Sequence, residues 1–443
     1  MHIEQFFDDG LAHASYIIHT GREAVTVDPG RDPGPYLEYL RAHDLRLTAV
    51  VETHPHADFV SSHLELYETT GAPILVSGRV GADYPHRAFD GGATFPLGDH
   101  TLTALDTPGH SPDGISVLLS DADGKQLAVF TGDTLFVGDV GRPDLRESGG
   151  AAESKKERLA RAMYRSLREQ LMVLDPATAV YPAHGAGSLC GKGISKERSS
   201  TIGKELRTNP ALQEMTEDAF ADWLLADQPF VPQYFPYAVE VNKAGAPDLE
   251  TALQAVPRAD YGFTPDGGVI VDTRDEATFK LGHLPGALNI QDGAKFETWL
   301  GALVAPSTPF YLVAEDEASL NTVIRKAAKI GYEPFVQTAF PQRQSAAGAS
   351  LSPIDLADFR AHPDRYTIVD IRNGSEVAQG KTFAGALSIP LPELPERVGE
   401  IPTGKPVVVH CAGGYRSAIA ASIVAAAGDV EVYDLGEAVR EFQ

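Results

Sequence analysis

The run LTAVVETHPHADFV, residues 47–60, decides how the first half of this 443-residue chain is read. Leu47 to Val51 form a short, β-branched apolar run that predicts a buried strand. It feeds His54, His56 and Asp58 onto a loop, with a helix expected from about Val60. Three ligand-type side chains within five residues can converge on one ion from such a loop without distorting regular structure. Simple capping of a helix N-terminus is the other reading of the same residues. Moving outward, TPGHSPDG puts His110 on a Gly/Pro loop, the strand LAVFTGD ends on Asp133, and VYPAHGAG delivers His184. Each is a strand end or loop of the kind that aims a side chain into a cleft. The runs ASYIIHT, AVTVDPG and ATAVYPAH alternate with turns and with a helical stretch near 153–174, so residues 1–240 read as an α/β domain.

Taken together these segments resemble the metallo-β-lactamase fold, whose pattern is HxHxDH, then a His, an Asp and a His. The resemblance implies an αββα sandwich over residues 1–240. One position departs from it, because Phe59 stands where the fold's dinuclear members have a histidine. In those members that histidine, the preceding Asp and the final His hold a second ion; here Asp58, His184 and a shared Asp133 remain, which predicts a single metal. Within the fold the chain is similar to the sulfur (persulfide) dioxygenases. That likeness implies one Fe(II) per chain on His54, His110 and Asp133, with His56, Asp58 and His184 orienting ligands and waters. Two histidines and one carboxylate leave three positions for substrate and O₂, as in non-haem Fe(II) oxygenases. Spacing alone does not distinguish iron from zinc.

Arg142, in VGRPDL, borders the substrate site in the look-alike dioxygenases and could receive a carboxylate of a low-molecular-weight thiol persulfide. The alternative is an internal pair with Asp144 or Asp139. Cys190, in GAGSLCGKG, is a candidate catalytic thiol facing the metal cleft, or a passive loop cysteine.

Beyond a Pro- and aromatic-rich stretch at 226–247, read as a linker whose Phe230, Tyr234, Phe235 and Tyr237 hug a surface, the chain repeats itself. VIVDTRDEATF (269–279) matches TIVDIRNGSEV (367–377) at an offset of 98. Two α/β domains with parallel sheets follow, at 241–345 and 350–443. The second contains PVVVHC, then AGGYR, then an alanine-rich helix expected near Ser417. A tight loop of this shape turns backbone N–H groups inward at a helix N-terminus and makes an anion cradle. Gly413, Gly414 and Arg416 would stabilise a thiolate or persulfide on Cys411. This loop, with the VDIR and GALSIPL segments, resembles the rhodanese sulfurtransferases, whose cysteine cycles through a persulfide. GKTFAGA departs from the family's GHIPGA-type turn, which the earlier copy keeps as GHLPGA (282–287). The offset of 98 lands Cys411 on Val313 and Arg416 on Ala318, within an acidic stretch that includes Glu315, Asp316 and Glu317. An acidic loop without a thiol repels anionic sulfur, so the middle domain reads as catalytically inactive.

A chain of this length exceeds the roughly 150-residue single-domain norm about threefold. Its 61 acidic against 37 basic side chains give a net charge of −24, which argues against nucleic acid or an anionic membrane as a general partner. The start lacks a cationic n-region and no run spans a membrane, so a cytoplasmic location is expected; a homo-oligomer is expected as well. Only two cysteines occur, which excludes a disulfide framework.

The whole resembles the fused persulfide dioxygenase–sulfurtransferases of bacterial sulfide detoxification. That implies oxidation of a thiol persulfide by O₂ to sulfite, and transfer of sulfane sulfur through Cys411 to give thiosulfate, or the reverse transfer. The rivals are a zinc-dependent, glyoxalase-II-like thioester hydrolase with attached rhodanese domains, against which Phe59 speaks, and a non-enzymatic sulfur carrier.

Overall fold

The structure, a computed structural model, describes residues 1–145, 152–343, 348–428 and 430–443. They sort into two compact units, Met1–Ala252 with Ala328–Gly331, and Leu253–Ala327 with Tyr332–Gln443.

In the first unit, fourteen strands are described in chain order: β1 (His2–Asp8), β2 (His13–Thr20), β3 (Glu23–Val27), β4 (Arg46–Val51), β5 (Ile74–Val76), β6 (Arg87–Ala88), β7 (Thr94–Leu97), β8 (His100–Asp106), β9 (Ile115–Ser120), β10 (Gln126–Gly132), β11 (Leu135–Phe136), β12 (Asp139–Val140), β13 (Ala179–Pro182) and β14 (Ser200–Thr201). One sheet runs β1-β2-β3-β4-β5-β6 and the other β14-β13-β10-β9-β8-β7. Alternation along the strands explains why the sheets stack. Tyr16, Ile18, Val25, Val27, Ala49 and Val51 point from the first sheet into one core with Leu102, Ala104, Val117, Leu119, Ala128 and Phe130 of the second. The opposite faces are covered by helices: Tyr36 and Leu40 of Gly34–Ala42 lie over the first sheet. Met163, Phe220 and Leu224 of Ala152–Ser166 and Glu217–Leu225 lie over the second. This is the expected αββα sandwich.

Two local expectations are revised. The helix after the HPHAD loop starts at His63 rather than Val60, because residues 58–62 are held irregular by side-chain hydrogen bonds described below. The 226–247 stretch is not a plain linker: it contains the helix Phe235–Ala244, opened by a Pro in its first turn, with Tyr234 and Phe235 fully buried.

The second unit contains two four-stranded sheets, all of whose strand pairs are parallel. The first comprises β15 (Val269–Asp272), β16 (Leu288–Asn289), β17 (Phe310–Ala314) and β18 (Val336–Pro341), in the order β16-β15-β17-β18. The second repeats it with β19 (Thr367–Asp370), β20 (Leu387–Ser388), β21 (Val407–His410) and β22 (Val432–Asp434), as β20-β19-β21-β22. Each carries the same buried Asp–Arg pair at the end of its first strand, Asp272–Arg274 and Asp370–Arg372. In both, the guanidinium also donates to a glycine carbonyl, Gly282 or Gly380, which ties down the following helix. The proposed boundary at 345–350 falls partly outside the described residues.

Candidate functional site

The HPHAD loop, the loop carrying His110, the end of β10 and the end of β13 meet at one edge of the sandwich. His54, His110 and Asp133 come together there, all buried, with ligand atoms within 4.8 Å of one another. His110 Nε2 lies 3.4 Å and His54 Nε2 3.9 Å from Asp133 Oδ2. These separations are too long for good hydrogen bonds. They are close to the roughly 3.4 Å edge of a tetrahedron built on ~2.1 Å metal–ligand bonds.

Hydrogen bonding fixes which nitrogen of each histidine faces the cluster. The Nδ1–H of His110 donates to the Arg142 carbonyl at 2.9 Å, and that of His184 to the Ala12 carbonyl at 3.2 Å. Thr53 gives its one hydroxyl proton to Asp28 Oδ2, so its oxygen accepts from His54 Nδ1, 3.0 Å away. In the neutral imidazoles each Nε2 is therefore left as a lone-pair donor aimed inward, the tautomer that metal ligation requires. Asp28 does this from a left-handed backbone conformation, φ 49°. Such strain costs about 1–3 kcal/mol and persists where the surroundings hold it, here the Thr53 N–H and hydroxyl. Gly132 is the adjacent backbone requirement: its φ is +50°, and a Cβ would sit 2.4 Å from Thr53 Oγ1.

His56, Asp58 and His184 surround the same centre. His56 Nε2 is 3.3 Å from Asp28 Oδ1, and His184 Nε2 is 3.3 Å from Asp58 Oδ2 and 3.5 Å from Asp133 Oδ1. Burial opposes a charge on His184, but Asp133 and Asp58 outweigh it and raise the imidazole to about 9. Cys190 is fully buried against Asp58 and His184. Burial first, then the two carboxylates Asp58 and Asp133, push its thiol well above the ordinary value. Arg142 takes the internal alternative: its guanidinium is bidentate on Asp144, Nε to Oδ1 at 2.7 Å and Nη2 to Oδ2 at 2.6 Å. Nη1 reaches the Leu189 and Phe230 carbonyls, and the residue is 1% exposed. Arg142 thus shapes the loop that carries the His110 acceptor and, through its N–H, the Cys190 carbonyl.

Two positioning residues escaped the sequence reading. Asn242 Nδ2 donates to the His56 and Phe59 carbonyls at 2.8 and 2.7 Å, and its Oδ1 accepts from Ser61 N at 2.8 Å. Tyr234 donates its hydroxyl to the Asp58 carbonyl at 2.8 Å. Both lie about 180 residues from the loop they hold, beyond the reach of any local pattern. Helix propensity would favour Ala at 242 by about 0.5 kcal/mol. Orphaning three buried backbone groups costs about 1–3 kcal/mol each. Asn242→Ala is therefore expected to destabilise the loop and lower metal affinity 10–100-fold, measured by competition with a chelator.

In the second unit, Cys411 Sγ accepts hydrogen bonds from Gly413 N at 3.4 Å and Gly414 N at 3.0 Å, directly before the helix Tyr415–Ala427. Gly414 is required: its φ is +108°, and a Cβ would lie 3.2 Å from Glu437 N. Arg416 forms a bidentate pair with Glu376, 2.6 and 2.8 Å. Burial opposes the charge on Arg416, but Glu376, then Cys411 and Asp370, hold its guanidinium above the ordinary value. Glu376 is held low first by that pairing. Its contribution is complete above the ordinary glutamate value of about 4.3 and is lost as pH falls through the lowered value. Glu376→Gln is expected to slow Cys411-dependent sulfur transfer about 10-fold, roughly 1.4 kcal/mol, with KM for the anionic acceptor rising and the acid limb of the pH profile changing.

Strand register corrects the alignment of the repeat. Asp370 pairs with His410 as Asp272 pairs with Val313, so Cys411 corresponds to Ala314, not Val313. The helices keep the offset of 98, starting at Tyr415 and Glu317, and Arg416 still falls on Ala318. Between them the middle half has two residues, Glu315 and Asp316, where the last has three. It still touches the last half: Tyr415 donates to the Gln291 carbonyl at 2.9 Å, and Lys280 Nζ lies 2.8 Å from Asp434.

Comparison with known proteins gives two family matches. Residues 8–184 match the metallo-beta-lactamase superfamily, and residues 262–338 and 355–443 match the rhodanese-like domain. A solved metallo-beta-lactamase from Staphylococcus aureus is 30% identical with a TM-score of 0.68, covering 77% of this chain and 99% of its own. The mitochondrial persulfide dioxygenase of Homo sapiens is 27% identical over 44% of this chain and 73% of its own length. A hydroxyacylglutathione hydrolase of Methylococcus capsulatus is 36% identical over 38% of this chain and 60% of its own.

Proposed function

This chain belongs to the metallo-beta-lactamase superfamily and carries rhodanese-like domains, and from that premise we propose that it oxidises a low-molecular-weight thiol persulfide with O₂ to sulfite and forms thiosulfate through Cys411. One observation supports this best: a two-histidine, one-carboxylate set, His54, His110 and Asp133, stands in the same chain as a cysteine cradled by two backbone N–H groups. The similarity to a persulfide dioxygenase points the same way.

The residues fit a resident ion, since two imidazole nitrogens and a carboxylate, all buried, bring their ligand atoms within 4.8 Å of one another. A ferrous ion on His54, His110 and Asp133 would supply the O₂ activation that zinc lacks. The chain's own part is to hold these donors rigidly through Arg142, Thr53 and Asn242. Overall, persulfide, O₂ and water give thiol, bisulfite and a proton. At the second site the Cys411 thiolate attacks the outer sulfur of another persulfide and expels its thiolate. Gly413 N–H, Gly414 N–H and Arg416 stabilise the resulting Cys411 persulfide anion. The sulfur lone pair of sulfite then attacks the outer sulfur, releasing thiosulfate and restoring the Cys411 thiolate. Run backwards, the same steps take sulfur from thiosulfate.

The test is O₂ uptake by the iron-loaded protein on adding glutathione persulfide. Uptake with sulfite or thiosulfate appearing is expected; no uptake with iron present overturns the assignment for that substrate. The hydrolase relative favours a second reading, a zinc-dependent thioester hydrolase, for which thioester turnover by the zinc-loaded protein is the measurement.

A further inference from the structure

The helix Tyr415–Ala427 that follows the Cys411 loop is gripped by the middle half at two points on one face, about two turns apart. The Tyr415 hydroxyl donates to the Gln291 carbonyl at 2.9 Å, and the Ser422 hydroxyl oxygen accepts from Asn289 N at 2.9 Å. Gly293 shapes the seat for the ring: a Cβ there would lie 3.2 Å from Tyr415 Cε2, so bare backbone lets the tyrosine lie against it. The segment that does the gripping is itself fixed. Asn289 Nδ2 donates to the Asp272 and Arg274 carbonyls at 3.2 and 2.9 Å, and Asp292 N to the Thr273 carbonyl at 2.8 Å. Lys326 Nζ holds Asp292 Oδ1 and the Gly293 carbonyl from the other side. Tyr415 is the residue after Gly414 and the first of its helix, so its position sets where the loop backbone ends. Its counterpart in the middle half, Glu317, lies 3.6 Å from Arg258 of its own half, so the contact is not reciprocated.

We propose that the middle half is a brace that sets the reactivity of Cys411, with Tyr415, Ser422 and Gln291 as positioning residues that act on the sulfur through the loop backbone. Gly413 and Gly414 N–H lie 3.4 and 3.0 Å from Sγ, and a tilt or slip of the helix start re-aims both. Hydrogen bonds weaken steeply once bent, and those to an anionic sulfur are the ones that lose most. Two bonds on one helix face resist such a tilt better than one, because they fix direction as well as position. The inference rests on the reading of Cys411 as the reactive thiol, and adds that a half with no cysteine of its own contributes to that thiol's chemistry.

The test compares the full-length parent with Tyr415→Phe, Gly293→Ala and Ser422→Ala at one pH. Two readouts are taken: the rate of Cys411 alkylation by iodoacetamide, with peptide mass spectrometry separating Cys411 from Cys190, and kcat and KM for sulfur transfer from thiosulfate to cyanide. Tyr415→Phe keeps the ring against Gly293 and removes one hydroxyl. Alkylation and kcat are expected to fall together by about 3–10-fold, the range set by one net hydrogen bond, with KM for thiosulfate unchanged. Gly293→Ala, made wholly in the middle half, is expected to shift both in the same direction by pushing the ring. Parent-like alkylation in Tyr415→Phe overturns the brace, as does a rise in KM with alkylation unchanged, which makes Tyr415 a substrate contact instead. If Tyr415→Phe melts below the assay temperature, Gly293→Ala and Ser422→Ala decide by the same readouts. A parent that transfers no sulfur overturns the reading of Cys411 rather than the brace, which the alkylation rates still decide.

Discussion

His54→Ala is expected to reduce persulfide-dependent O₂ uptake by well over 100-fold while leaving Cys411-dependent sulfur transfer intact. Loss of a residue that merely supports a metal ligand costs about 10–100-fold, and loss of a donor itself exceeds that. The separation of effects follows from where the groups lie: His54 belongs to the first compact unit and Cys411 to the second. His54 is 3% exposed, so the substitution also opens a cavity. His54→Gln, which is closer in volume, serves as the companion variant. Iron content, O₂ consumption and thiosulfate:acceptor sulfur transfer measured on one preparation decide the matter. If both activities fall together while the fold is intact, the two centres are not independent.

Cys411→Ser is expected to produce the mirror image. The serine hydroxyl keeps the shape of the loop and can still meet Gly413 and Gly414 N–H, but it cannot form a persulfide, so sulfur transfer falls to background. O₂ uptake continues and sulfite accumulates where the parent yields thiosulfate. The product ratio, read by chromatography, is the measurement. Thiosulfate formed at the parent rate would mean that Cys190 or free persulfide supplies the sulfur.

The architecture was legible because its signals are local. Strand runs such as AVTV and LAVF, the HPHAD and CAGGYR loops and the 98-residue repeat each sit within a few residues of the structure they specify. The grouping of His54, His110 and Asp133 came from the likeness to the persulfide dioxygenases, applied to donors that each close a strand or a Gly/Pro loop; the structure brings their ligand atoms within 4.8 Å of one another. What stayed hidden was long-range. Asn242 and Tyr234 hold the HPHAD loop from a segment that reads as a linker, and nothing near them marks the loop as their partner. Asp28 shows only as the Asp of a turn-like VDPG. Arg142 had two sequence readings, and only the positions of Asp144, Leu189 and Phe230 show which contacts it makes. The placement of Cys411 on Val313 missed by one residue because a constant offset cannot register a deletion inside the loop.

That missing residue has a historical meaning. If the two halves of the second unit descend from one duplicated ancestor, they have diverged at this loop in two separate ways: Ala314 stands against Cys411, and the path from Ala314 to Glu317 is one residue shorter than that from Cys411 to Tyr415. A reversion to cysteine at 314 would place sulfur at the end of β17 with one backbone N–H too few to wrap it, and with Glu315 and Asp316 in place of glycine. Point mutation alone does not restore the longer loop, so length as well as side chain holds the two copies apart while the middle one keeps its contacts with Tyr415 and Asp434.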